Sequence, residues 1–266
     1  MRFLFWNTKN NVGINDILCD LIVENDISTV LLAEYAADVS ELQKKLATRG
    51  KLLFEYNTAG CERMTILGTN LHVDSGLQTD YASIQIINED EILCCIHLQS
   101  QIYSDNEELR KLTIRQIVAD IEATEKAYST DKTIIVGDLN IAPYDDAAVS
   151  AGYFHGVPIY EVAKKKKRKV GKKYYDMFYN PMWSFLGERT KPYGTYYHSG
   201  SKTNNAFWYI LDQVMIRPSL RPRFVDDNLK ILTETSSVFL LNQAGHPNKK
   251  ISDHLPIMFE VEDEDG

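Results

Sequence analysis

The sequence predicts an α/β fold built in layers. Two observations carry that reading. Apolar runs of strand length recur along the whole chain, and the stretches between the early ones carry apolar residues at helical spacing. A third observation narrows it: no period of about 20–50 residues repeats, which removes solenoids and propellers. Many strands with helices between them imply two sheets packed face to face or one large mixed sheet. No Pro-, Ser- or Gly-rich linker divides the 266 residues, so 1–266 reads as a single domain.

The elements follow in order. Residues 2–7 (RFLFWN) are a short apolar strand. Residues 15–25 carry Ile17, Leu18, Leu21 and Ile22, with Ile14 just before them, and predict a helix. Residues 29–34 (TVLLAE) form a buried-strand run that ends in an acid, and 39–48 predict a second helix. Residues 51–56, 64–67, 81–87 and 92–98 predict strands, with turn-like stretches between them. The clearest helix is 105–128: Ser104 and Glu107 make a capping-box pattern, and Leu109, Leu112, Gln116, Ile117 and Ile121 follow one face. Residues 132–136 form a strand that runs into Gly137-Asp138-Leu139-Asn140. Residues 153–206 are rich in Tyr, Lys, Gly and Asn and show little periodicity. Strands return at 209–216, 230–233 and 257–261.

Composition excludes several classes. Hydrophobic residues make up 44% and charged residues 25%, values that rule out collagen-like, coiled-coil and wholly disordered chains. No window approaches the roughly 18 apolar residues of a membrane span. None of the four cysteines sits in a C-x-x-C pair, and Cys94 and Cys95 adjoin in an apolar run. Buried reduced thiols are expected, rather than a zinc site or disulfides. The first residues show no basic region, long apolar stretch or cleavage site of a secretory signal, so a cytoplasmic protein is expected.

Charge is uneven. The net charge is −8, yet 164–173 (KKKKRKVGKK) holds eight basic residues in ten, and the remainder of the chain carries −16. Three readings stand for this run: a solvated mobile loop, a local nucleic-acid contact, or a nuclear localisation signal. Tyr174, Tyr175, Phe178, Tyr179 and Trp183 follow it, then Tyr193, Tyr196 and Tyr197. Rings beside basic groups can stack on bases, or can simply pack a lid onto the body. A basic-aromatic insertion at about 155–206 is therefore expected.

Polar residues end the apolar strands. Asn7 and Glu34 end the first two, His97 lies near the end of 92–98, and Asp138 and Asn140 follow 132–136. Asp212 interrupts 208–216, and Asp253 and His254 precede the last strand. Polar groups beside buried strands cost free energy unless they are paired or bind something. So many at strand ends point to a shared site at one edge of the sheets.

The ordered motifs F-W-N, L-L-A-E, I-H-L, V-G-D-L-N, I-L-D-Q-V and I-S-D-H-L-P resemble those of the endonuclease/exonuclease/phosphatase, or DNase I-like, superfamily. The resemblance runs from Trp6 to Ile257. It implies a four-layer α/β sandwich, two mostly antiparallel sheets flanked by helices. It also implies hydrolysis of phosphate esters with Mg²⁺ or Mn²⁺, hard cations that favour carboxylate and water oxygens. In that pattern Glu34 matches the metal-binding glutamate, and Asn7 and Asp253 match residues that support the metal or a second, weak site. Asp138 and Asn140 match the G-D-x-N pair. The aspartate handles a proton of the attacking water or leaving oxygen, and the asparagine orients phosphate or water. His254 matches the catalytic histidine and Asp212 its carboxylate partner. His97 matches a second histidine placed at the scissile phosphate.

Subfamily signals conflict. Histidine at His97 departs from the tyrosine usual in the abasic-site repair branch, while 137–143 (GDLNIAP) resembles the exonuclease III-type motif. L-D-Q-V at 211–214 departs from the inositol-phosphatase signature. His72, His155 and His246 have no motif context and are expected in surface or loop roles, whereas His198 lies where relatives place substrate contacts. The basic run favours a nuclease acting on nucleic acid. The alternative is a phosphatase or phosphodiesterase of a lipid, nucleotide or other small phosphate ester.

Overall fold

A computed structural model describes all residues except 71–72, 101–106, 190, 202, 204 and 265–266. The larger strands are β1 (Arg2–Asn7), β2 (Thr29–Ala33), β3 (Phe54–Glu55), β4 (Met64–Gly68), β5 (Asp74–Gln78), β6 (Ala82–Ile87), β7 (Glu91–His97) and β8 (Thr133–Asp138). After them come β9 (Gly156–Val157), β10 (Lys167–Val170), β11 (Lys173–Asp176), β12 (Phe178–Tyr179), β13 (Tyr196–Tyr197), β14 (Trp208–Tyr209), β15 (Asp212–Ile216), β16 (Lys230–Ile231) and β17 (Ile257–Glu260). The helices that frame them are α1 (Asn15–Glu24), α2 (Val39–Thr48) and α3 (Glu107–Ala127).

Among the described residues two large sheets form. One has six strands in the order β16-β17-β1-β2-β4-β3, the other seven in the order β5-β6-β7-β8-β15-β12-β9. Antiparallel pairs predominate, with parallel pairs at β1/β2, β7/β8 and β9/β12. The alternation of side chains separates the layers. From the second sheet, Leu93, Cys95, Ile134, Val136, Val214 and Ile216 join the core shared with the first sheet, α1 and α2. Their neighbours Ile92, Cys94, Ile96, Ile135 and Met215 face the other way and pack on Ile114, Ile117 and Ile121 of α3. This is the four-layer α/β sandwich, helices outside and two sheets within. The four cysteines are free and buried, as expected.

Four expectations need correction. The buried face of α3 runs through Arg110, Ile114, Ile117 and Ile121, while Leu109 and Leu112 are exposed. Spacings of four and three from Ile114 fix the phase; Ile117 and Ile121 lie on it as expected, whereas Leu109, Leu112 and Gln116 fall off it. Of 51–56 only Phe54–Glu55 is strand, and β5 was not expected at all, because an edge strand with exposed residues lacks an apolar run. The basic run is not a loop: β10 and β11 form an antiparallel hairpin. His155 is fully buried rather than at the surface, its Nδ1 2.8 Å from the Asp176 carbonyl. His72 and the Ser104 cap fall outside the described residues.

Candidate active site

The registers of the two sheets assemble the polar residues. In the parallel pair β7/β8, His97 lies opposite Asp138, and in the antiparallel pair β8/β15, Asp138 lies opposite Asp212. Residues opposite one another share a face. The row His97–Asp138–Asp212 therefore continues the inner apolar rows of those strands to the edge of the sandwich. In the first sheet Asn7 lies opposite Ala33, which puts Glu34 one step further along. These are the carboxyl ends of β1, β2, β7 and β8, the edge at which open α/β sheets place ligands.

The geometry is close. Asn7 Nδ2 donates to Asp138 Oδ2 at 3.0 Å and to Glu34 Oε1 at 3.2 Å. His254 Nδ1 lies 2.9 Å from Asp212 Oδ2, and its Nε2 lies 3.8 Å from Asp138 Oδ2. His97 Nε2 sits 3.5 Å from Glu34 Oε1 and 3.8 Å from Asp138 Oδ2. The Asn140 backbone N–H donates to Asp138 Oδ1 at 3.1 Å, and its Nδ2 donates to the Leu98 carbonyl at 2.9 Å. Asp253 stands at the rim, 3.2 Å from Lys9 Nζ. Asn7, His97, Asp138, Asn140, Asp212 and His254 are buried, while Glu34 and Asp253 are partly exposed. Asn7, Glu34, His97, Asp138, Asn140, Asp212 and His254 thus lie together, with Asp253 at the rim beside Lys9.

Backbone features hold this arrangement. Gly137 lies opposite Ile96, and a Cβ there would sit 1.8 Å from the Ile96 carbonyl oxygen, so only glycine lets the two strands approach before Asp138. Asn140 takes φ of 49°, which asparagine tolerates better than most residues. Glu34 takes φ of 48°, an uncommon conformation for glutamate that costs about 1–3 kcal/mol. Its carbonyl accepts from Thr8 Oγ1 at 2.7 Å and from the Asn10 N–H at 2.7 Å, which fix the turn. Strain of this kind clusters at functional sites.

Burial and charge set the protonation states. Burial pushes the Asp138 carboxyl above its usual range, and Asp212 adds to that, while His254, His97 and the Asn7 amide pull it back. Burial alone would keep His254 neutral, but Asp212 and Asp138 outweigh it and push its pKa up to about 10. Burial holds His97 below the usual histidine range, with Asp138 and Glu34 offsetting part of the effect. Among the described residues His97 Nδ1 is buried without a hydrogen-bond partner. The surroundings thus push the two imidazoles in opposite directions, His254 toward the cation and His97 toward the neutral ring, on either side of Asp138.

The residues suit a divalent metal at Glu34. Its carboxylate is partly exposed and is met by two neutral amides, Asn7 and Asn10, the latter at 3.1 Å. Oxygen donors with an open side fit a hard cation. Asp138, Asp212 and His254 also offer ligand atoms within 4.8 Å of one another. There, however, His254 Nδ1 is already committed to Asp212 at 2.9 Å.

Several supporting residues were not singled out from the sequence. Trp6 Nε1 donates to the His254 carbonyl at 2.9 Å. Ser252 Oγ donates to the Asn7 carbonyl at 2.7 Å and accepts from the His254 N–H at 3.1 Å, tying two strand ends together. Thr195 Oγ1 accepts from the Asp212 N–H at 3.2 Å. The Tyr196 ring lies 4.8 Å from that of His254, and His198 stacks beyond Tyr196 at 6.5 Å, so His198 stays one ring away from His254. Trp6 and Ser252 lie inside the F-W-N and I-S-D-H-L-P motifs. Thr195 carries no sequence signal, because its role is a long-range cap.

The sequence matches no protein-family model and no curated protein. Solved structures do match in fold. A 3′ phosphatase, NExo, from Neisseria, bound to a product DNA hairpin, aligns with a TM-score of 0.58 at 13% identity, over 98% of this chain and 99% of that one. An AP endonuclease from Archaeoglobus fulgidus aligns with a TM-score of 0.59 at 14% identity, over 99% and 100%. The catalytic domain of human Nocturnin, with a bound sulfate anion, gives 0.57 at 11% identity, over 98% and 94%. The chain has the fold of the endonuclease/exonuclease/phosphatase proteins, a two-sheet sandwich with its polar cluster at one edge. This DNase I-like fold is the one that the ordered motifs implied.

Proposed function

We propose that this protein is a metal-dependent phosphodiesterase that hydrolyses nucleic acid. The observation that carries the reading is Asp138, a buried carboxylate flanked by two imidazoles at 3.8 Å, one of them oriented by Asp212 at 2.9 Å. A carboxylate accepts only, so His254 Nδ1 carries a proton toward Asp212, and Nε2 is directed at Asp138 and the space beside it. Asp138 holds the attacking water and takes its proton as the new P–O bond forms and the bond to the leaving oxygen breaks; the leaving oxygen takes a proton from solvent, and Asp138 returns its own to solvent. His254, as imidazolium, donates to a phosphoryl oxygen where charge builds up, and His97 contacts the same phosphate. Asn140 fixes Asp138 from behind through its backbone N–H. Glu34 would hold Mg²⁺ or Mn²⁺, with Asn7 as its hydrogen-bonding support and Asp253 at the rim. Such a cation neutralises charge on phosphate oxygens when bound.

A nuclease is favoured by the basic hairpin and by the DNA-acting proteins that share the fold. Among the described residues no helix is long and apolar enough to cross a membrane. We place the protein in the cytoplasm, where four buried thiols remain reduced. A panel assay tests the reading: labelled DNA and RNA oligonucleotides beside small phosphomonoesters, each with Mg²⁺, Mn²⁺ or EDTA. Metal-dependent cleavage of an oligonucleotide is expected. Turnover of the phosphomonoesters alone would instead support a small-ester phosphatase.

A further inference from the structure

The basic run does not border the site. Lys166 pairs with Asp131 at 2.6 Å, and the Met177 N–H after the hairpin donates to the Lys166 carbonyl at 2.8 Å. Asp131 precedes the first residue of β8, whereas Asp138 is its last. At about 3.3 Å per residue, the hairpin base stands roughly 20 Å from Asp138, at the opposite end of the strand. Arg217, which follows the end of β15, donates to the Met177 carbonyl at 3.3 Å and confirms which end this is.

The hairpin is built to present charge. Val170-Gly171-Lys172-Lys173 closes it, with Gly171 at φ of 62° and Lys172 not left-handed, as a type II′ turn requires. Lys167 pairs with Asp176 at 3.3 Å and Lys164 with Glu161, so most of the charge at the base, Lys165 aside, is neutralised within the protein. Arg168, Lys169, Lys172 and Lys173 are exposed and form no ion pair among the described residues. Lys169 lies over the Tyr174 ring at 5.7 Å and Lys173 over Tyr175 at 4.9 Å, and Tyr174 is 61% exposed. Each face of the hairpin thus offers cations beside an aromatic ring, on a body that is otherwise acidic.

We propose that the β10–β11 hairpin is a distal anchor for the phosphate backbone of a nucleic acid whose cleaved bond lies at Asp138. The proposal rests on the nuclease reading. It adds a geometric condition. Duplex rises about 3.4 Å per base pair, so the roughly 20 Å from Asp138 to the base of the hairpin corresponds to about six base pairs, and a substrate needs an arm of that order to reach the hairpin. Shorter substrates feel only the site.

The test uses the full-length protein and duplexes whose arms on either side of the cut run from two to fifteen base pairs. KM should fall steeply once one arm passes about six base pairs and then level off. Changing Arg168, Lys169, Lys172 and Lys173 to serine should remove that fall while leaving kcat on the shortest duplex unchanged. Between 50 and 200 mM salt, affinity of the wild type for an uncut 30-mer should drop roughly 100-fold more than that of the serine variant, as expected for four lost phosphate contacts. Changing Lys169, Lys172 and Lys173 to arginine should preserve the length effect, which separates charge from folding. Cleavage with no dependence on arm length, or a dependence that survives in the serine variant, overturns the anchor. Binding of poly-glutamate with no binding of the 30-mer also overturns it and points to an acidic protein. Hairpin-dependent binding of the 30-mer without any cleavage leaves the surface standing and retires the nuclease reading instead.

Discussion

Asn7 donates its Nδ2 to Asp138 Oδ2 at 3.0 Å, and the two residues belong to different sheets. The same amide reaches Glu34 at 3.2 Å. One neutral side chain therefore couples the proposed metal carboxylate to the proposed base and keeps two negative groups apart from each other.

Asn7→Asp replaces that amide with a third carboxylate of the same shape. In metal-free protein the new buried charge lacks a partner, and a loss of about 3–5 kcal/mol in urea unfolding is expected. Added Mg²⁺ should recover part of it. Stability equal to wild type in EDTA would show that the amide is not needed between the acids.

Glu34→Gln keeps the shape of the side chain and removes the charge. Calorimetric titration should show Mn²⁺ binding weakened at least tenfold, with cleavage reduced by orders of magnitude and the fold retained. Unchanged Mn²⁺ binding would move the metal elsewhere, to the Asp138, Asp212 and His254 group.

Asp212→Asn leaves the imidazole in place with a poorer partner. Asp212 helps to raise the His254 pKa, so the variant should titrate His254 at lower pH than wild type in NMR of metal-free protein. kcat should fall by about 10²–10⁴, with KM little changed, as for other positioned acid–base groups. A matching rise in KM would make the pair a substrate anchor.

His155 supplies a pH dependence away from the site. Burial lowers its pKa below the ordinary value of 6.5, and the Asp176 carbonyl accepts from Nδ1 at 2.8 Å. The unfolded chain then binds more protons than the folded one as pH drops below about 6.5, so this contribution to stability is lost on acidification. His155→Met should flatten the acid limb of the stability curve relative to wild type. Parallel acid limbs in the two proteins would show that His155 does not titrate on unfolding.

Much of this architecture is legible in the sequence because buried strands write continuous apolar runs. β1, β2, β7 and β8 are such runs, and the polar residues that end them or, for β2, follow at Glu34 mark the site edge directly. β5 is not legible, since Asp74, Ser75 and Leu77 are exposed and no alternation survives. The β10–β11 hairpin is mostly charged and exposed, and its Val170, Tyr174 and Tyr175 make no regular alternation, so hydrophobic periodicity cannot reveal it; the Gly171 turn between two charged runs was the available signal. Its position at the end of β8 remote from Asp138 depends on the Lys166–Asp131 pair, 35 residues apart in sequence, which no local pattern encodes. Thr195, capping Asp212 from 17 residues away, is hidden for the same reason.

The central claim is that Asp138 and His254 act on one phosphodiester within a single site. Its most direct test is single-turnover cleavage of an end-labelled oligonucleotide in Mg²⁺ by wild type, Asp138→Asn and His254→Gln, with binding of the same oligonucleotide measured in EDTA. Both variants should bind within about threefold of wild type and cleave at least 10²-fold more slowly, as expected when a group that acts on the proton is removed. The double variant should be little slower than either single one, as for residues that act as a unit. Cleavage at the wild-type rate by either variant would contradict the account.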